Sequence, residues 1–188
     1  MTNIAENVQP IRTAEQHRQF IEALRISSPK SADRNVLLYL LGISTGLRIG
    51  DLVRLRIEDV KGRSSFRIYE GKTKKPRTVY LDNIMAEIAD YTADKPSEGY
   101  LFASAKGGHI TTTQAYRALT KAADLLGWDW IGTHTLRKTY GYQYYKTYNN
   151  IVDLCEIFNH SSQAVTRRYI GLREEELGDT QRKFKPFG

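Results

Sequence analysis

The chain has 188 residues, which is enough for one full hydrophobic core and short for two domains. Its 40% hydrophobic and 26% charged residues exclude a largely disordered chain, and no apolar run approaches the roughly 20 residues of a membrane span. The N-terminus lacks the features of a secretory signal, and the single cysteine, Cys155, lies in an apolar stretch. We therefore expect a cytoplasmic protein. The net charge of +7 favours a polyanionic partner.

The first predicted helix begins with a capping box. In Thr13-Ala-Glu-Gln16 the threonine oxygen can accept a hydrogen bond from a free backbone N–H, and the glutamine can bind back to the first residue. Apolar residues at helical spacing then continue the helix up to Ser27. We expect residues 1–12 to form a loose segment, and we find no repeat, low-complexity tract or domain boundary within residues 13–188.

The second predicted helix opens at Ser31 or Asp33 and is apolar on almost every side, as is typical of a helix buried in a core. Gly46 ends this helix in the manner of a C-terminal cap, and a short helix begins near Ile49. Arg48 therefore lies at a junction between two helices and has buried neighbours. Such a position makes its side chain rigid.

Two segments of alternating polarity predict a β-hairpin. The first covers residues 66–70 and the second covers residues 78–81, and a connection that contains glycine and proline joins them. Residues 61–77 contain one acid, Glu70, and seven basic residues, which are Lys61, Arg63, Arg67, Lys72, Lys74, Lys75 and Arg77. A basic tip of this kind either binds a polyanion or is a solvated loop.

The rest of the chain is predicted to be mainly helical. The predicted segments are residues 82–92, 112–126, 133–148, 151–159, 162–170 and 174–184. The predicted fold class is therefore α+β, mostly α-helical, with one small antiparallel β-sheet.

Arg48 is the first candidate functional residue. An arginine in a turn rich in glycine and leucine between buried helices needs an anion nearby, because a buried unpaired charge is costly. Asp51, three residues further on, could be that anion, and the pair would then be only structural. An anionic ligand is the alternative.

Four further residues add nucleophilic and acid–base chemistry. His134 and Arg137 lie three positions apart on one helical face, and His160 is followed nine residues later by Tyr169. Each pair alone also fits a cap, a packing residue or a solvated side chain. Together with Arg48, these residues supply what is needed to hold a phosphodiester and attack it without a metal.

These segments resemble the catalytic domain of the tyrosine recombinases, also called the lambda-type integrase family. The matching segments are Thr45-Gly-Leu-Arg48-Ile-Gly-Asp-Leu52, Gly71-Lys72-Thr73, His134-Thr-Leu-Arg137, Asn159-His160-Ser-Ser and Thr166-Arg-Arg-Tyr169. The resemblance runs from about Thr13 to Leu172. The chain departs from the family at Asn159, where glycine is more usual, and we expect the N-terminal core-binding domain of the family to be absent. Short relatives, the fimbrial phase-variation recombinases, also lack that domain, so the chain is either a natural minimal enzyme or an excised fragment.

The resemblance implies a mechanism of DNA strand cleavage and rejoining. Tyr169 attacks the scissile phosphate, displaces a 5′-hydroxyl and forms a 3′-phosphotyrosyl link, which conserves the bond energy so that resealing requires no ATP. His134 is the implied base, because a phenol with an ordinary pKa of about 10 is a weak nucleophile at neutral pH. Lys72 is the implied acid for the departing oxygen, with Lys74 or Lys75 as alternatives.

The remaining implied roles concern the phosphate oxygens and the DNA. Arg48 and Arg137 bind the oxygens with planar forks of donors, and His160 adds a hydrogen bond. Asp51 is implied to orient Arg48 and to take no direct part in catalysis. The residues expected to contact DNA are Lys74, Lys75 and Arg77. No metal or other cofactor is expected, because the four histidines and one cysteine form no ligand cluster at a recognised spacing.

The implied partner is double-stranded DNA, in a bacterial or phage-encoded system of the cytoplasm. We expect a homo-oligomer, a tetramer on two DNA duplexes, assembled through the C-terminal segment; a tail folded onto its own domain is the alternative. Two other functions stay open. One is a type IB topoisomerase, which uses similar chemistry with little site preference, and the other is an integrase-derived module that binds DNA without cutting it.

Overall fold

The computed structural model describes residues 8–71 and 75–186, and these residues form a mostly helical structure. The α-helices are α1 (Ala14–Ser27), α2 (Ala32–Thr45), α3 (Ile49–Leu52), α4 (Ile57–Val60), α5 (Met85–Thr92), α6 (Thr112–Leu125), α7 (Thr135–Tyr148), α8 (Ile151–Phe158), α9 (Gln163–Tyr169) and α10 (Leu172–Lys183). Strands β1 (Ser65–Tyr69) and β2 (Pro76–Tyr80) form an antiparallel pair. The predicted fold class is confirmed.

The signals at the ends of the first two helices are confirmed. Thr13 Oγ1 accepts a hydrogen bond from the Gln16 backbone, and the Gln16 side chain accepts one from the Thr13 backbone. Gly46 ends α2 with a φ of +63°, a left-handed conformation that residues with a Cβ adopt only at a cost. A 3₁₀ turn at Pro29–Ser31 and helix α4 were not predicted, because three or four residues are too few to show a helical period.

The prediction of a loose segment at residues 1–12 is wrong for residues 8–12. Val8 and Ile11 are both buried, and the Ile11 backbone donates a 2.9 Å hydrogen bond to Thr139 Oγ1 on α7. Two isolated apolar residues show no periodicity in the sequence, but they cover apolar surface once α7 is in place. Residues 1–7 lie outside the described residues.

Helix α2 packs directly against α7. At the contact, a Cβ added to Gly42 would lie 2.6 Å from Leu136 Cδ1, so a larger residue would hold the helices apart. Because Arg48 follows the end of α2 and Arg137 lies in the first turns of α7, this close contact brings the two arginines to the same region.

The hairpin and the C-terminal helices complete the surroundings of that region. In the hairpin, Phe66 pairs with Val79, and the Glu70 backbone donates to the Lys75 carbonyl at the base of the connecting loop. A second buried cluster under α7, α8 and α9, which includes Phe158 and Ile170, supports the helix that carries Tyr169.

Within residues 8–71 and 75–186, no helix has both the length and the apolar character that crossing a membrane requires.

Candidate active site

Arg48 is held by a buried carboxylate. Its backbone is extended at the residue before α3, and its side chain is 20% exposed. Arg48 Nη1 donates a 2.5 Å hydrogen bond to Glu70 Oε2, and the Glu70 side chain is fully buried. Sequence reasoning gave Glu70 no role. Its position as the one acid in a run of basic residues was the signal that could have identified it.

Arg137 is the most deeply placed cation of the site. Its side chain is 2% exposed, and it donates to the carbonyls of Gly46 at 2.6 Å and Phe158 at 3.1 Å. Its Nη1 lies 3.6 Å from Glu70 Oε1. Burial, and after it the charge of Arg48, lowers the pKa of Arg137 to about 10, so this guanidinium remains charged at neutral pH.

Arg77 differs from the prediction that it contacts DNA from the hairpin tip. Its side chain is only 14% exposed and turns inward, where Nη2 donates to the Thr45 carbonyl at 2.6 Å and Nη1 lies 3.6 Å from Glu70 Oε1. Burial lowers the pKa of Arg77. Pairing along the hairpin sets this direction, because Arg77 lies opposite Ile68, which packs against the core.

Asp51 does not orient Arg48 as predicted. Its buried carboxylate accepts a 3.0 Å hydrogen bond at Oδ1 from the Gly71 backbone, and within the described residues it forms no ion pair with Arg48. Glu70 reaches Arg48 from the hairpin, and Asp51 binds the backbone of Gly71 instead. Asp51 therefore binds the residue that directly precedes Lys72 in the chain.

Tyr169 and His134 are in direct contact. His134 Nδ1 lies 3.2 Å from Tyr169 Oη, and the two rings are perpendicular. Burial raises the pKa of Tyr169, and the charges of Arg137 and Arg48 act in the opposite direction. The phenol is therefore protonated at neutral pH and needs a base when it attacks.

His160 lies beside the same phenol. Its ring centroid is 5.0 Å from that of Tyr169, and its Nδ1 lies 3.0 Å from Thr166 Oγ1. Burial, followed by the charges of Arg137 and Arg48, lowers the pKa of His160 to about 4. His160 is therefore neutral at neutral pH and can donate one hydrogen bond.

The predicted lysines are described only in part. Lys72 and Lys74 lie outside the described residues, whereas Lys75 is exposed at the start of the second half of the hairpin. Among residues 8–71 and 75–186, no group of three or more histidine, cysteine or acidic residues is placed to hold a metal ion.

Side chains from separate parts of the chain thus converge on one surface region. Arg48 and Arg137 lie against one carboxylate, and Arg137 is also near Tyr169, which contacts His134. Two guanidinium groups bind a phosphate well, and a phenol next to a base can attack it. The fold and the site define an enzyme that attacks a phosphodiester with a tyrosine.

The chain is similar to known proteins over most of its length. The chain matches the phage integrase family over residues 11–176. It is 40% identical over 183 residues to the probable integrase/recombinase YoeC of Bacillus subtilis (strain 168), which covers 96% of this chain and 97% of that protein. The crystal structure of XerA recombinase is similar with a TM-score of 0.69 and 22% identity, over 95% of this chain and 65% of that chain. The crystal structure of the XerH site-specific recombinase bound to its difH substrate is similar with a TM-score of 0.65 and 22% identity. The match covers 90% of this chain and 53% of that chain.

The chain belongs to the phage integrase family. This confirms the predicted recognition, fold and enzyme class: it is a site-specific tyrosine recombinase, a DNA-cleaving and rejoining enzyme. The chain spans about half the length of several other curated relatives, which are named tyrosine recombinases.

Proposed function

We propose that this chain cuts and reseals double-stranded DNA through Tyr169, with a 3′-phosphotyrosyl intermediate and without a metal ion or ATP. The observation that carries the proposal is the contact between Tyr169 Oη and His134 Nδ1 beside Arg137. The tyrosine oxygen forms a bond to phosphorus as the bond to the 5′-oxygen breaks, and His134 takes the phenol proton. The reverse reaction, with a 5′-hydroxyl from another strand, reseals the DNA.

In this proposal, Arg48, Arg137 and His160 bind the non-bridging oxygens of the phosphate. Extra negative charge develops on these oxygens in the transition state, and two fixed guanidinium groups stabilise it with charge and geometry together. A neutral His160 adds a hydrogen bond without adding to the repulsion between the arginines. The burial of Arg137 supports the role, because its carbonyl partners hold the side chain in one place before DNA arrives.

Lys72 is proposed to protonate the departing 5′-oxygen. The support comes from the residues on either side of its loop, where Gly71 is held by Asp51 and the Glu70 backbone binds the Lys75 carbonyl. Hydrogen bonds thus hold the described residues on both sides of Lys72 in the chain. Lys74 and Lys75 are alternatives for the acid and are otherwise proposed to contact DNA phosphates.

The proposed partner is duplex DNA in the cytoplasm of a bacterium. Support comes from the net charge of +7 and from the similar fold of XerH, which was solved on its difH substrate. Because each phosphate contact releases counterions, the affinity for DNA should fall steeply as the salt concentration rises.

The proposed active assembly is a tetramer on two duplexes, joined by the last part of the chain. The start of α10 packs on its own domain, where Glu175 binds both Tyr142 and Lys146 at 2.9 Å. Leu177 and Phe184, further along, remain exposed and are proposed to contact a neighbouring protomer. Removal of residues 177–188 should leave DNA binding intact but reduce the mass of the complex on DNA, as measured by light scattering. An unchanged mass would show that the tail folds only onto its own domain.

Covalent capture tests the proposed reaction without knowledge of the target site. The protein is incubated, in the presence of a metal chelator and without ATP, with a pool of duplexes that have a random central sequence and a nick. Denaturing extraction then recovers DNA joined to protein, and sequencing identifies the site. We expect adducts with wild type and with Tyr148→Phe, a change at an exposed tyrosine, and none with Tyr169→Phe.

Other outcomes would identify the alternative functions. Tight binding without any adduct would support a DNA-binding module. Adducts at unrelated sequences, together with relaxation of supercoiled DNA, would support a type IB topoisomerase.

A further inference from the structure

We propose that Glu70 is a positioning residue for Arg48 and Arg137, which it holds apart at the distance that a phosphate needs. This inference rests on the proposed function, because it assigns a purpose to the arginine pair of the same site. It adds a residue that none of the matching segments of the sequence contains.

The surroundings of Glu70 carry the inference. The carboxylate is fully buried, it binds Arg48 at 2.5 Å, and it lies 3.6 Å from Arg77 and from Arg137. The backbone of Glu70 is fixed as well, because its N–H donates to the Lys75 carbonyl at 3.1 Å. One anion thus has three guanidinium groups within 3.6 Å, with Arg48 at Oε2 and with Arg77 and Arg137 at Oε1.

Charge explains why such an anion is useful. Burial lowers the pKa of Arg137 most, the charges of Arg48 and Arg77 lower it further, and the charge of Glu70 raises it. Without the carboxylate, guanidinium groups in a partly buried site would repel each other and move apart. With it, three positive charges and one negative charge leave a net positive site, and Arg48 keeps an exposed edge for a phosphate.

The same carboxylate also repels an incoming phosphate, and this gives the inference a distinctive consequence. Removing the charge of Glu70 should make the site more attractive to DNA while making the arginines less ordered. A residue with only a structural role would instead lose binding and cleavage together. An affinity for DNA that rises while the rate of cleavage falls, when the charge of Glu70 is removed, therefore indicates a positioning role.

The test compares Glu70→Gln with Glu87→Gln, which removes the same charge at an exposed position on α5. Two quantities are measured: the Kd for a captured duplex, and the rate of adduct formation in a single turnover at saturating protein. We expect Glu70→Gln to bind at least as tightly as wild type and to form the adduct on the order of 10-fold to 100-fold more slowly. Glu87→Gln should form it at the wild-type rate.

Glu70→Asp provides a second measurement if the glutamine variant folds poorly in thermal unfolding. It keeps the charge on a side chain shorter by one methylene, so it should have the wild-type Kd and a rate between those of wild type and Glu70→Gln. Faster cleavage by Glu70→Gln would overturn the inference, because Glu70 would then only compete with the phosphate. Equal losses of affinity and rate would overturn it as well.

A failure of the proposed function would be visible separately. If wild type forms no adduct, the proposed reaction is wrong, but the affinities of the variants for a random-sequence duplex still test Glu70. Binding by Glu70→Gln that is weaker than binding by Glu87→Gln would then contradict the inference.

Discussion

Folding changes the acid–base chemistry of His160. Its pKa falls from 6.5 to about 4 because it is partly buried and lies near Arg137 and Arg48. Between these two pH values the unfolded chain binds a proton that the folded chain does not. The free energy of unfolding should therefore fall as the pH is lowered from about 6.5 to about 4.

The variant His160→Gln isolates this contribution. It should lose less stability than wild type over the same pH range, because its side chain does not titrate. Urea unfolding at a series of pH values measures the difference, and other histidines such as His17 contribute equally to both proteins. Parallel pH curves for wild type and variant would contradict the neutral state of His160.

Thr166 is predicted to set which nitrogen of His160 carries the proton. The hydroxyl has one hydrogen, and two acceptors lie near its Oγ1: His160 Nδ1 at 3.0 Å and the Ser162 carbonyl oxygen at 3.3 Å. When the hydroxyl donates to the nearer Nδ1, the hydrogen of the neutral ring is on Nε2, where it can bind a phosphate oxygen. Thr166→Val should then slow adduct formation on the order of tenfold, by the loss of one donor. Thr166→Ser, which keeps the hydroxyl, should remain close to wild type, and an equal loss in both variants would contradict the role.

At the scale of the element, the end of α8 places His160. Asn159 has a φ of +52°, the left-handed conformation that glycine adopts without strain, and this explains why asparagine replaces the more usual glycine here. Asn159→Gly should leave the free energy of unfolding nearly unchanged, whereas Asn159→Ala should lower it by about 1 kcal/mol.

Urea unfolding of these two variants tests the helix end, and adduct formation tests its effect on the site. Asn159→Ala should also slow the reaction, since the strain lies directly before His160. Equal stability of the alanine and glycine variants would show that the left-handed turn is not maintained in solution.

At the scale of the whole molecule, the packing of α2 against α7 determines whether the arginines meet. Gly42→Ala should lower the free energy of unfolding by about 1 to 3 kcal/mol, because its Cβ would overlap Leu136. It should also slow adduct formation, because the ends of both helices move.

Gly178→Ala is the matched control in α10. Its Cβ would meet only the flexible end of Arg182, at 3.5 Å, so it should add about 0.5 to 1 kcal/mol of stability and leave the reaction rate unchanged. Thermal unfolding and adduct formation of the two variants, measured side by side, check both expectations. A stable and fully active Gly42→Ala would contradict the close contact.

The long helices were predictable because the sequence signals that specify them are local. The capping box at Thr13, the stop at Gly46 and the period of the long helices all lie within a few residues of the structure they specify. The two short helical segments were missed for the same reason, since they contain less than one full period. The packing of Val8 and Ile11 was missed because the surface that they cover comes from a distant helix.

The sequence by itself determined the class of this protein, because the order and spacing of the segments around Arg48, Arg137, His160 and Tyr169 are properties of the chain. Only the tertiary structure decided which charges are partners. Asp51 is near Arg48 in sequence, but Glu70 reaches it through the hairpin, and Asp51 binds Gly71 instead. Arg77 turns inward for a similar reason. Electrostatic partners depend on distance in space, and the packing of helices and hairpin sets that distance.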